Sequence, residues 1–156
     1  MRRLLLTLCL ATAAYATTFQ DCGSVGSGVA LTVEGCQTSP CQLHLGQSAN
    51  VSIQFTASQA SRSLTVHVTA DIYGVEVPWP GLDTDACHHT TCPYADGDHV
   101  DWAMTVEVSK HYPLISTKAT FKLVDGGGQS QVCALVDVRL VPALPSFYLH
   151  HHDNIQ

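Results

Sequence analysis

Polar and apolar positions alternate along this chain in six separate stretches. From Gln47 to Ala57, Val51, Ile53 and Phe55 fall on one side and Ser52, Gln54 and Thr56 on the other. From Leu64 to Tyr73, Leu64, Val66, Val68, Ala70 and Ile72 share a face, with Thr65, His67, Thr69, Asp71 and Tyr73 opposite. From Val100 to Val108, Val100, Trp102, Met104, Val106 and Val108 point inward, while Asp101, Thr105 and Glu107 face water. Lys118 to Leu123 places Ala119, Phe121 and Leu123 together, and Gln131 to Val141 does the same for Val132, Ala134, Val136, Val138 and Leu140. Val29 to Val33 is a shorter run that ends before Cys36. A period of two marks a strand with one face buried. No stretch of helical period exceeds a turn or two. Six or seven such strands, joined by turns every ten residues or so, predict an all-β fold: an antiparallel β-sandwich of two sheets.

One segment breaks the alternation. Gly74 to Pro93 reads GVEVPWPGLDTDACHHTTCP. It begins as the end of a strand, turns polar and proline-rich, and closes on two cysteines. Pro78 and Pro80 flank Trp79, and neither proline can donate a ladder hydrogen bond. A large aromatic there belongs at a sheet edge or rim. Tyr112, in His111-Tyr112-Pro113, is a second aromatic on irregular backbone. Tyrosine and tryptophan suit places where one end of the side chain is apolar and the other wet. The segment is therefore expected to form a lip. The inward strand faces predict a packed core, or an apolar pocket where the sheets splay near that lip.

Composition sharpens this picture. Arg2 and Arg3, the apolar run Leu4–Ala14 and the small-x-small pattern Ala14-Tyr15-Ala16 read as a secretory signal peptide over residues 1–16. One domain is expected from 17 to 141, followed by a tail from 142 to 156 that contains His150, His151 and His152. Loss of the leader leaves five basic residues against thirteen acids. That balance argues against nucleic acid and against an anionic membrane surface as the main partner. Of seven cysteines, Cys9 goes with the leader. Six in a secreted domain read as three disulfides, for which sequence allows fifteen pairings. The tight Cys36–Cys41 and Cys87–Cys92 spacings favour local bridges, leaving Cys22 with Cys133. The x4 spacing is a poor metal knuckle, so no metal and no cofactor are expected. Asn50-Val51-Ser52 is a glycosylation sequon. His88 and His89 lie beside Asp83 and Asp85, but no Ser or Cys nucleophile accompanies them, so catalysis is not expected.

Several segments together resemble one family. They are Asp21-Cys22-Gly23-Ser24, Ser39-Pro40-Cys41-Gln42-Leu43 with Gly46-Gln47-Ser48, Gly74-Val75-Glu76-Val77-Pro78-Trp79-Pro80, Cys87-x4-Cys92-Pro93, and Tyr112-Pro113 before Cys133. The combination resembles the Niemann–Pick type C2 proteins of the MD-2-related lipid-recognition (ML) family. Pro80 to His88 is similar to the dust-mite group 2 allergens of that family. The resemblance implies an immunoglobulin-like sandwich holding a sterol or another lipid between its sheets, with the same three disulfides. By position it implies a lipid lining of Val77, Pro78, Trp79, Val108, Tyr112, Phe121 and Ala134. The alternation adds Val66, Val68, Ile72, Met104, Val106 and Val136. Where Trp79 stands the sterol-binding members carry phenylalanine, and where Phe121 and Ala134 stand they carry tryptophans. The resemblance thus implies a wider interior behind a narrower entrance. It further implies a secreted carrier, extracellular or in the lysosomal lumen, acting as a monomer with a membrane or membrane receptor as transfer partner. The alternative role within the family is binding fatty acids, bacterial lipids or semiochemicals.

Overall fold

The computed structural model describes residues 16–145. The expected leader, apart from Ala16, and the tail beyond 145 lie outside the described residues. Nine strands form two sheets. They are β1 (Gln20–Asp21), β2 (Ser27–Val33), β3 (Cys41–His44), β4 (Ser48–Thr56), β5 (Leu64–Ile72), β6 (Val75–Pro78), β7 (His99–Glu107), β8 (Ser116–Asp125) and β9 (Ser130–Val141). The larger sheet runs β1-β9-β8-β5-β6, with β3 also paired to β9, and the smaller runs β2-β4-β7. Each alternating stretch is a strand within a few residues of its expected bounds. Strand β7 alternates exposed and buried along its whole length. Strands β1 and β3 show no period, because two to four residues are too few, while β6 is the strand end expected at the start of the Gly74–Pro93 segment. The pairings are antiparallel except β3 with β9, which is parallel. The only helical element among the described residues is the short 3-10 turn Ala86–His88.

One long side of the sandwich is stitched shut. The Val25 and Gly26 amides donate to the Ser130 and Gln131 carbonyls at 2.9 and 3.0 Å. Gly26 is required there, since a Cβ would meet the Gln131 carbonyl at 2.6 Å. Cys22–Cys133 ties the end of β1 to β9 at this edge of the large sheet, while Cys36–Cys41 and Cys87–Cys92 close local loops. The end of the sandwich at the β8–β9 turn is closed by polar groups. Asp125 accepts from Gln59 Nε2 at 2.5 Å, from Gln131 Nε2 at 2.8 Å and from the amides of Gly127 and Gln129. Gln131 is wholly buried and Asp125 only 5% exposed. The hydrogen bonds to Asp125 and Gln131 offset the cost of burying these two side chains.

Candidate functional site: an apolar cavity at the open end

Side-chain size falls along the strands from the closed end to the other. On β4 the inward series is Phe55, Ile53, Val51, Ala49, all buried. On the large sheet the Val66–Leu123–Val132 row gives way to Val68–Phe121–Ala134 and then Ala70–Ala119–Val136. Trp102, Phe55, Leu31, Ile53, Leu64 and Leu123 fill the closed half completely. Interiors pack to a constant density, so a taper toward alanine and valine leaves space unless the sheets converge.

The space appears at the open end, as a cavity of about 270 Å3. Ala70 and Ile72 of β5 and Val77 and Pro78 of β6 form one wall. Trp79 and Pro80 form the corner, Tyr112, Pro113 and Ile115 the connection opposite, and Thr117, Val138 and Leu140 the floor. The β5–β6 hairpin overhangs this mouth. Its two-residue turn has Tyr73 at φ 54° and Gly74 at φ 86°, the pair of positive angles that joins twisted antiparallel strands without splaying them. Around the rim Tyr73, Val75 and Leu114 are exposed, Tyr73 by 93%. Behind the cavity, between the sheets, lies a slot of about 20 Å3 walled by Val68, Val106, Val108, Phe121, Val136 and neighbours. Trp79 and Val138 belong to both spaces.

The expected lining residues therefore separate. Ile72, Val77, Pro78, Trp79 and Tyr112 surround the cavity. Val68, Val106, Val108, Phe121 and Val136 wall the slot. Three lie at neither. Val66 is buried in the filled half beside Leu123, and Ala134 is wholly buried in the row opposite Phe121. Met104 is buried and borders a wide groove on the outer face of the small sheet. An inward position is thus not by itself a cavity position; distance from the closed end decides. Sequence reasoning passed over Ala70, Pro80, Pro113, Ile115, Thr117, Val138 and Leu140. For Leu140 and Val138 the signal was present, since they continue the inward face of β9 toward the open end.

Trp79 is held on three sides. Its backbone amide donates to the Val68 carbonyl at 2.8 Å, keeping it in register with β5 despite its proline neighbours. Its indole Nε1–H donates to the Glu107 carbonyl, at the end of β7, at 2.9 Å. Its ring meets Tyr112 edge to face, with centroids 5.6 Å apart at 87°. Burial pushes the Tyr112 phenol pKa up.

The loop after Trp79 carries the charged groups. Asp83 Oδ2 lies 2.7 Å from His88 Nδ1 and 3.5 Å from His89 Nε2, and His88 Nε2 lies 3.6 Å from Asp85. The hydrogen bond with Asp83 raises the His88 pKa, and the same bond lowers that of Asp83. Their bonds stay within the loop, which hydrogen-bonds to β5 through the Val66 amide and the Thr84 carbonyl at 2.9 Å. Among the described residues no group of three or more His, Cys, Asp or Glu is arranged to hold a metal ion. Asn50 is exposed on the outer face of β4, donating to Glu34 at 2.7 Å and accepting from Thr105 at 2.8 Å. Among the described residues no helix is long and apolar enough to cross a membrane.

Comparison with known proteins places this architecture. The ML domain family model matches residues 16–140. The chain is 34% identical over 139 residues to the NPC intracellular cholesterol transporter 2 of Mus musculus, covering 88% of this chain and 93% of that one. It is 36% identical over 110 residues to the mite group 2 allergen Pso o 2 of Psoroptes ovis, covering 70% of this chain and 76% of the other. In fold it is similar to the crystal structure of a Niemann–Pick type C2 protein from the Japanese carpenter ant. The TM-score is 0.71 at 20% identity, covering 80% of this chain and 99% of that one. With its two-sheet architecture, its three disulfides and a family match across nearly all the described residues, the chain belongs to the ML-domain family.

Proposed function

We propose that this protein is a carrier that takes up a sterol or related lipid at the open end of the sandwich and transfers it. The observation that carries the reading is the cavity of about 270 Å3, whose facing surface is apolar. Ligand pockets typically run from about 300 Å3 upward, so this mouth is near the lower bound before any separation of the sheets. Burying about 300 Å2 of apolar ligand at about 25 cal/mol per Å2 contributes about 7 kcal/mol before association costs. Micromolar binding thus needs no charged anchor. A sterol hydroxyl would stay hydrated at the rim. The cholesterol transporter named among the relatives supports a sterol; the mite allergens leave fatty acids, bacterial lipids or semiochemicals as the second reading.

The same reading makes 1–16 a cleaved leader, 17–141 the lipid-binding domain and 142–156 a tail. The protein is then secreted, to the extracellular space or a lysosomal lumen, and acts as a monomer that meets a membrane or membrane receptor. Asn50 carries a glycan, which a peptide-N-glycosidase mass shift would detect. Transfer between vesicles tests the function. Donor vesicles labelled with dehydroergosterol, and others labelled with a fluorescent fatty acid, are mixed with unlabelled acceptors. A carrier accelerates exchange of one label in proportion to its concentration. Rates equal to protein-free controls for both labels would overturn the proposal.

A further inference from the structure

Trp79 stands between two spaces of very different size. Its ring is a wall of the cavity of about 270 Å3 and of the slot of about 20 Å3 behind it. Its hydrogen bond to Glu107 also crosses the molecule. Trp79 follows β6, the edge of the large sheet, and Glu107 ends β7, the edge of the small one. Among the described residues, one other side-chain hydrogen bond ties this long side to β7, from Thr90 Oγ1 in the disulfide loop to the Asp101 carbonyl at 2.6 Å. The opposite side is held by the Val25 and Gly26 backbone bonds to β9, where the chain passes from β1 of the large sheet to β2 of the small one. The sandwich is therefore stitched along one side and tied at its mouth by an indole N–H.

Resting on the carrier reading, we propose that the Trp79 Nε1–H to Glu107 carbonyl bond is a latch that sets which ligands are admitted past the mouth, and how fast. An apolar ligand that fits the outer cavity needs nothing to move. A longer one reaches the slot only when the indole swings aside, breaking the Glu107 bond and the edge contact with Tyr112. The slot walls, among them Val68, Val106 and Phe121, are buried apolar side chains, so separating the sheets there exposes no unmet polar group that would resist it. Pro78 and Pro80 restrict backbone motion on either side of Trp79. Opening therefore falls to the side-chain torsions and the cross-sheet bond. A phenylalanine at this position would fill the corner but have no N–H to donate, so the latch depends on the indole.

Stopped-flow uptake of cis-parinaric acid and of dehydroergosterol tests this. In the wild-type protein the observed rate should level off with probe concentration, because opening limits uptake. Trp79→Phe removes the N–H and some bulk. Replacing the indole by benzothiophene removes the N–H and keeps the two-ring bulk. Both should raise the plateau about two- to twelvefold, the range set by the net worth of one neutral hydrogen bond. A plateau unchanged in the benzothiophene variant, or a wild-type rate linear throughout, overturns the latch. A second readout needs no ligand: the indole Nε1 proton of Trp79, assigned by its loss in Trp79→Phe, should exchange with solvent far more slowly than a free indole. Exchange at the free rate overturns the latch. Slow exchange in a protein that takes up neither probe leaves the bond with nothing to gate and overturns the latch together with the carrier reading, whereas uptake with an unchanged plateau overturns the latch alone.

Discussion

His88 shows how one side chain organises a polar loop. It lies between Asp83 and Asp85, and its pKa is raised chiefly by the hydrogen bond with Asp83. The sign follows directly. A raised histidine stabilises the loop below its unfolded pKa of about 6.5, and that contribution is lost as pH rises through the higher folded value. The lowered Asp83 contributes above its unfolded value of about 3.9 and loses this as pH falls further. The loop is thus tied most firmly at weakly acidic pH. An NMR titration of the His88 ring should give a pKa above the ordinary histidine value, and Asp83→Asn should bring it back toward that value. An unshifted His88 in the wild-type protein would contradict the geometry. Ile115 makes a different residue-scale test. It lines the mouth and lies outside the wholly buried core. Ile115→Trp should fill much of the cavity, lowering lipid affinity at least tenfold while shifting Tm by no more than about 4 °C. Full affinity in a folded variant would move the site elsewhere.

At the scale of elements, the long strands were legible because each buries one face and exposes the other, and β4 and β7 alternate throughout. The short ones were not. β3 carries only four residues and pairs in parallel with β9, a partner nearly a hundred residues away that no local pattern reveals. The lip was legible from Pro78-Trp79-Pro80, because proline at a strand's end and a flanked tryptophan have few other places to go. What stayed hidden was where along each strand the core ends. Val66 and Val68 are indistinguishable by periodicity, yet one is packed in the filled half and the other walls the slot. Pairing register decides that. The taper on β4 from Phe55 to Ala49 is the nearest sequence signal. The β8–β9 turn supplies the element-scale prediction. Burial pushes the Asp125 pKa up, but its hydrogen bonds from Gln131, Gln129, Gln59 and Gly127 outweigh this and hold it below the usual value. Its contribution is therefore present above about pH 4 and lost as pH falls through the lower folded value. Asp125→Asn should cost about 1–3 kcal/mol at pH 7 by urea unfolding, and the gap should narrow below about pH 4. A gap independent of pH would show that the charge contributes nothing.

At the scale of the whole molecule, the sandwich is asymmetric by construction. One end is filled by Trp102, Phe55 and Leu64 and capped by the Asp125 network; the other tapers to alanine and valine and opens. At one edge of the large sheet Cys22–Cys133 ties β1 to β9 across a separation of 111 residues. Removing that bridge with Cys22→Ser and Cys133→Ser together should cost about 3–5 kcal/mol in denaturant unfolding, more than opening either five-residue loop. Stability thus rests on the closed end of the strands, and the proposed lipid uptake on the open end of the same strands. The central claim is that the open end holds a lipid. Native mass spectrometry of the natively purified protein tests this most directly, with Ile115→Trp in parallel. The account predicts a single apolar molecule bound one-to-one to the wild-type protein and lost or depleted in the variant. A wild-type protein that always flies at its ligand-free mass, and takes up no sterol or fatty acid when offered them, would contradict it.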